Sequence, residues 1–72
     1  PYACLEAMAM GRAVLAARQG GMPELIADGV DGLLATVGDA DAFVAGLERL
    51  IADASLRQRL GAAARARIER QH

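Results

Sequence analysis

Two short apolar runs constrain this chain more than any other feature. Ala13-Val14-Leu15-Ala16-Ala17, bracketed by Arg12 and Arg18, lacks the polar alternation of a strand with one wet face. Such a run suits a strand covered on both faces, the parallel kind. Leu33-Leu34-Ala35-Thr36 reads as a second short strand. Between them, Arg18-Gln19-Gly20-Gly21-Met22-Pro23-Glu24 reads as a loop, because paired glycines accept backbone angles that other residues avoid. Pro23 is suited to the first turn of a short helix over Pro23–Ala27, and Asp28-Gly29 and Asp31-Gly32 then supply two turn signals. Strand, helix and strand in about 24 residues predict a compact right-handed crossover.

The flanking segments are helical. Cys4 to Met10 is built from good helix formers, and Gly11 sits where a left-handed cap would end the helix. Beyond Gly38 the period changes: Phe43, Leu47, Leu50 and Ile51 fall on one face behind Asp39, a suitable N-cap, which predicts an amphipathic helix packed on the sheet. A further helix follows Asp53-Ala54, opened by the capping box Ser55-Leu56-Arg57-Gln58 and carrying Leu56, Leu60, Ala64 and Ile68 on one stripe. The order helix, strand, short helix, strand, helix, helix is that of the C-terminal portion of a doubly wound, Rossmann-like parallel α/β sheet. With only two strands, the first would keep an open edge, so the chain is expected to be a piece of something larger; a start at Pro1 without an initiator Met agrees.

Composition limits both the core and the partners. Of 39 hydrophobic residues 17 are Ala, so only 22 larger apolar side chains are available, and a chain of 72 residues so equipped is marginal alone. A net charge of −1 and a single Tyr and Phe argue against nucleic acid as a partner. One cysteine cannot form an internal disulfide, and no Cys/His cluster has the spacing of a zinc site, so no metal is expected and a reducing compartment fits. No apolar run approaches the ~20 residues that span a bilayer. The expected location is the cytoplasm, with peripheral contact at the membrane face as the alternative.

Five phrases stand in one order: Leu5-Glu6-Ala7-Met8-Ala9-Met10-Gly11, Ala13-Val14-Leu15-Ala16, Gly20-Gly21-Met22-Pro23-Glu24-Leu25-Ile26, Asp28-Gly29-Val30-Asp31-Gly32-Leu33-Leu34 and Gly38-Asp39-Ala40. Together they resemble the C-terminal domain of retaining glycosyltransferases of the group 1 type, family four, which have the two-domain GT-B fold. The resemblance covers nearly the whole chain and extends to the Leu56-Arg57 and Leu60-Gly61 spacing. It implies that residues 1–72 are part of a C-terminal nucleotide-sugar-binding domain, that the donor is a nucleotide-diphosphate sugar, and that transfer to an acceptor proceeds with retention and without a bound metal or other cofactor. The acceptor is not implied.

Glu6 matches the second of two family glutamates separated by seven residues; in relatives it accepts hydrogen bonds from ribose hydroxyls, a task suited to the two oxygens of a carboxylate. The first glutamate would fall three residues before Pro1. Tyr2, Ala3 and Cys4 match the stretch entering the donor-binding helix, where backbone N–H groups meet the diphosphate. Gly20 and Gly21 match paired glycines beside the cleft, where a thin loop lets donor and acceptor approach. No catalytic residue is expected within the chain, and the chain alone is expected to be inactive and to self-associate through its open strand edge or helix faces.

Plainer roles compete. Glu6 can be an ordinary solvent-exposed helix residue, Gly20 and Gly21 an ordinary turn, and Glu24 a favourable partner of a helix dipole. Cys4 is expected to be a small buried hydrophobe, Met8, Met10 and Met22 core filler, and the terminal His72 without catalytic role. The arginines from Arg57 to Arg70 are expected to form a solvated face, with Asp53 one turn from Arg57 and Glu69 one turn from Arg65. Two other functions fit less of the chain: a small helical interaction module using the Phe43–Ile51 and Leu56–Ile68 stripes, and a nucleotide-sugar epimerase of the same two-domain architecture.

Overall fold

The computed structural model describes residues 2–71, folded as α1 (Tyr2–Ala9), β1 (Leu15–Arg18), α2 (Met22–Leu25), β2 (Leu33–Thr36), α3 (Ala40–Ala52) and α4 (Ala54–Gln71). The strands are parallel, with Leu15 opposite Leu33 and Arg18 opposite Thr36. The expected α/β class and element order therefore hold, and the β1–β2 ladder contradicts an all-helical interaction module.

Alternate strand residues face opposite sides of the sheet. Leu15 and Leu33 pack with Leu50 of α3 and with Leu56 and Leu60 of α4. Val14, Ala16 and Leu34 face the other way, onto a cluster around Met8 of α1, Ile26 and Ala64 of α4. The result is three layers, helix on both sides of a two-strand sheet. One stripe of α4 serves both clusters, as the Leu56, Leu60, Ala64 and Ile68 spacing predicts.

Local chemistry sets most boundaries. Gly11 adopts φ +72, its N–H donates to Met8 C=O (3.0 Å), and Arg12 N–H donates to Ala7 C=O (2.9 Å). This paired capping ends α1 as expected, though at Ala9 instead of Met10, and the helix already begins at Tyr2. Gly61 of α4 crosses directly over that cap: a Cβ there would lie 2.0 Å from Gly11 O, so only glycine permits the two backbones to approach.

Other expectations are corrected. The first strand is Leu15–Arg18 instead of Ala13–Ala17: β2 offers four partners, and Arg18 joins the ladder while its guanidinium pairs with Asp28 at 3.1 Å. Leu15, Ala16 and Ala17 are only half-covered and Arg18 is exposed, since among the described residues β1 is paired on one edge alone. α2 stops at Leu25 because Ile26 turns extended and drops its side chain into the core.

The buried face of α3 consists of Gly46 and Leu50, while Phe43, Leu47 and Ile51 stay exposed. Gly46 rests against the Leu15 side chain, where a Cβ would come within 3.1 Å, and this close approach rotates the helix away from the predicted face. The cap of α4 is Asp53, whose carboxylate accepts from Leu56 N–H at 2.9 Å, so Ser55 lies inside the first turn instead of forming a capping box. Met10 is 65% exposed and fills no core.

Candidate donor-site residues

The eight-residue α1 has a buried side and a wet side. Cys4 and Met8, one turn apart, face the core, with Cys4 Sγ 3.9 Å from Met8 Sδ. Tyr2, Ala3 and Glu6 lie on the outward side. The Glu6 carboxylate forms no ion pair among the described residues, which leaves both oxygens available to a ligand. Burial pushes the Cys4 thiol above its ordinary pKa, which disfavours the reactive thiolate. Its part-buried place beside Met8 fits the packing role.

Gly20 and Gly21 are exposed in the turn after β1. Gly20 adopts φ +56, and a Cβ at either glycine would meet nothing within 4 Å, so the turn is thin and open. Gly21 C=O accepts from both Glu24 N–H and Leu25 N–H at 3.1 Å, tying the glycine pair to α2. Met22 and Leu25 join the same cluster as Cys4, so the first turn of α1 and the loop after β1 rest on one core. The loop also lies at the carboxyl end of β1, the end at which open α/β sheets receive ligands.

A depression of about 510 Å³ lies at the carboxyl ends of the two strands, between Ala17, Thr36, Gly38 and Phe43. It contains none of the six predicted donor-site residues, and the carboxylate of Asp39 on its wall is engaged as the N-cap of α3, accepting from Ala42 N–H at 2.9 Å. A smaller one of about 350 Å³ is lined by Arg12, Arg57 and Gln58 at the other end of β1. Among the described residues no cluster of His, Cys, Asp and Glu could hold a metal ion. His72 lies outside the described residues.

The arginines are where the sequence reading fell shortest. Arg65 pairs with Glu69 at 3.6 Å as expected, on the surface. Arg57, however, donates to the carbonyls of Leu50 and Ile51 at the end of α3, not to Asp53, because those carbonyls lack helical partners. Arg59 donates to Gly29 C=O at 3.1 Å, and Arg67 reaches both Asp31 Oδ2 (2.9 Å) and Glu24 C=O (2.7 Å). Asp31 is a buried charge whose other oxygen accepts from Ala27 N–H at 2.7 Å. The one sequence signal for this was Asp31 beside Gly32; nothing in the chain points to a partner 36 residues away.

The sequence profile of the family described as glycosyl transferases group 1 matches residues 1–67. The chain belongs to that family. It is 41% identical over 56 residues to the lipopolysaccharide core biosynthesis glycosyltransferase LpsE of Rhizobium meliloti, covering 78% of this chain and 16% of the relative. A D-inositol 3-phosphate glycosyltransferase of Nocardiopsis dassonvillei is 43% identical over 60 residues, 83% of this chain and 14% of its own. Among solved structures, a sucrose-phosphate synthase from Thermosynechococcus elongatus superposes with a TM-score of 0.91 at 31% identity, over 97% of this chain and 18% of that one. The fold is thus that of a GT-B glycosyltransferase segment, and the chain spans about a sixth of the length of the proteins it matches. The family match favours a transferase over an epimerase. No described helix is long and apolar enough to cross a membrane.

Proposed function

We propose that this segment supplies part of the donor site of a retaining glycosyltransferase that moves a sugar from a nucleotide diphosphate to an acceptor. Within that reading, Glu6 accepts hydrogen bonds from the two ribose hydroxyls of the donor. The backbone N–H groups at Tyr2, Ala3 and Cys4, in the first turn of α1, face the diphosphate, and Gly20 and Gly21 keep the neighbouring loop thin. The observation that carries the proposal is the outward Glu6 carboxylate with no protein partner among the described residues, on a helix whose first turn shares a core with the glycine loop.

Charge developing on the departing diphosphate would be stabilised by first-turn amides of α1 and by basic groups elsewhere in the protein, so no metal is required. The acceptor site and the group that meets the transferred sugar lie outside these residues. The segment alone therefore has no transferase activity.

The test is made in the full-length transferase that carries these residues. Glu6→Gln removes the charge and one acceptor oxygen while keeping the size, and should raise the donor KM and the Kd of the free nucleotide diphosphate about tenfold. The acceptor KM should not change, and proton NMR of the first product should show the donor's anomeric configuration. Unchanged nucleotide affinity would remove Glu6 from the donor site, and an inverted product would remove retention.

A further inference from the structure

The Gly20–Glu24 loop has few anchors of its own. Gly20, Gly21, Pro23 and Glu24 are exposed, and α2 is a single turn of four residues, too short to hold itself together. Its position must come from contacts outside the segment. Met22 and Leu25 supply apolar ones, and these fix depth without fixing register.

Arg67 supplies the directional one. It projects from α4, 43 residues further along the chain, and divides its guanidinium between two acceptors. Nη1 donates to the Asp31 carboxylate at 2.9 Å, and Nη2 donates to the Glu24 backbone carbonyl at 2.7 Å. The Asp31 side chain is 6% exposed and that of Arg67 21%, so the pair is largely shielded from water, unlike the exposed Arg18–Asp28 and Arg65–Glu69 pairs. The second Asp31 oxygen holds Ala27 N–H. The chain on both sides of Ile26 is therefore pinned to α4 by one planar group.

From Glu24 the constraint passes directly to the glycines. Glu24 N–H donates to Gly21 C=O at 3.1 Å, so displacement of the Glu24 peptide moves Gly21 with it. We propose that Arg67, oriented by Asp31, is a positioning residue that sets the Gly20-Gly21 turn against the nucleotide-diphosphate donor. Neither residue touches the donor; both act through the Glu24 peptide. The inference rests on the donor-site reading above. It adds that affinity for the donor depends on a guanidinium remote in sequence.

A lysine at this position keeps the charge but not the fork: one ammonium meets Asp31 or the Glu24 carbonyl, not both in plane. In the full-length transferase, Arg67→Lys should raise the donor KM and the directly titrated Kd of nucleotide diphosphate about tenfold, with kcat and acceptor KM within about twofold. Hydrogen exchange should quicken at residues 21–26 and not in α1. If Arg67→Lys does not fold, the paired change Asp31→Asn with Arg67→Gln removes both charges together and is read by the same assays.

A lowered melting temperature with donor Kd and donor KM unchanged would overturn the proposal, leaving Arg67 a purely structural residue. The Glu6→Gln result separates the two readings. If Glu6→Gln weakens donor binding and Arg67→Lys does not, the positioning role alone fails; if neither does, the donor-site reading has failed and the positioning role with it.

Discussion

On the face of the sheet that carries Val14, Ala16 and Leu34, Met8, Ile26 and Ala64 are shut off from solvent. On the opposite face α3 buries Gly46 and Leu50 but leaves Val44, Leu47 and Ile51 exposed, the last at 77%. The first face is also stitched by directed bonds, Arg67 to Asp31 and Glu24 and Arg18 to Asp28. The second relies on apolar contact, on helix caps at Asp39 and Asp53, and on Arg57, which donates to the Leu50 and Ile51 carbonyls at the end of α3. The closed face bears the candidate donor-site residues, where a site must be held still, while the α3 face offers apolar surface free for further contact.

The largest effect expected from this contrast is at the glycine crossing beneath α1. Gly61→Ala would set a Cβ 2.0 Å from a backbone oxygen that cannot rotate away, and should cost about 3 kcal/mol or more in urea unfolding. Gly46→Ala on the other face meets only the Leu15 side chain at 3.1 Å, and the gain in helix propensity should hold its effect within about 1 kcal/mol. Equal losses at the two glycines would abolish the distinction.

Next in size is the largely shielded pair of Asp31 and Arg67. Asp31→Ala leaves Arg67 largely shielded without its counter-charge and should lower stability by about 3 kcal/mol, against less than ~1 for Arg18→Ala at the exposed pair. Thermal unfolding of the two variants side by side checks the order. Asp53→Ala should follow at about 1 kcal/mol through loss of the α4 cap, with Ser55→Ala near neutral. The reverse ranking would restore the capping box.

The smallest effect on stability belongs to the exposed stripe. Leu47→Lys combined with Ile51→Lys should change unfolding of the 72-residue chain by no more than about 0.5 kcal/mol. Sedimentation should nevertheless show the self-association expected of the parent chain abolished. Persistence of the oligomer would shift attention from α3 to the free edge of β1.

Much of this was legible one residue at a time. Gly11, Asp39 and the Leu56–Ile68 stripe act through neighbours within a few positions, so spacing alone identifies what they do. The face of α3 was not legible, because its rotation is set by Gly46 meeting Leu15, a contact across 31 positions of chain. Nor was the cap of α4: Ser55 and Asp53 both offer a capping oxygen, and the tight turn out of α3 selects Asp53. Within the candidate site, Glu6 and the glycine pair could be named from their phrases, whereas the support given by Arg67 could not.

The sequence by itself determined the class of the fold, its element order and the family, since these follow from local propensity, caps and the order of short phrases. Only the tertiary structure decided which face of α3 is wet, which residue caps α4 and which of eight arginines is drawn into a largely shielded ion pair. Those depend on pairs such as Asp31 and Arg67, brought within 2.9 Å by packing from positions far apart, and no local rule encodes where a long, flexible guanidinium will find its acceptor.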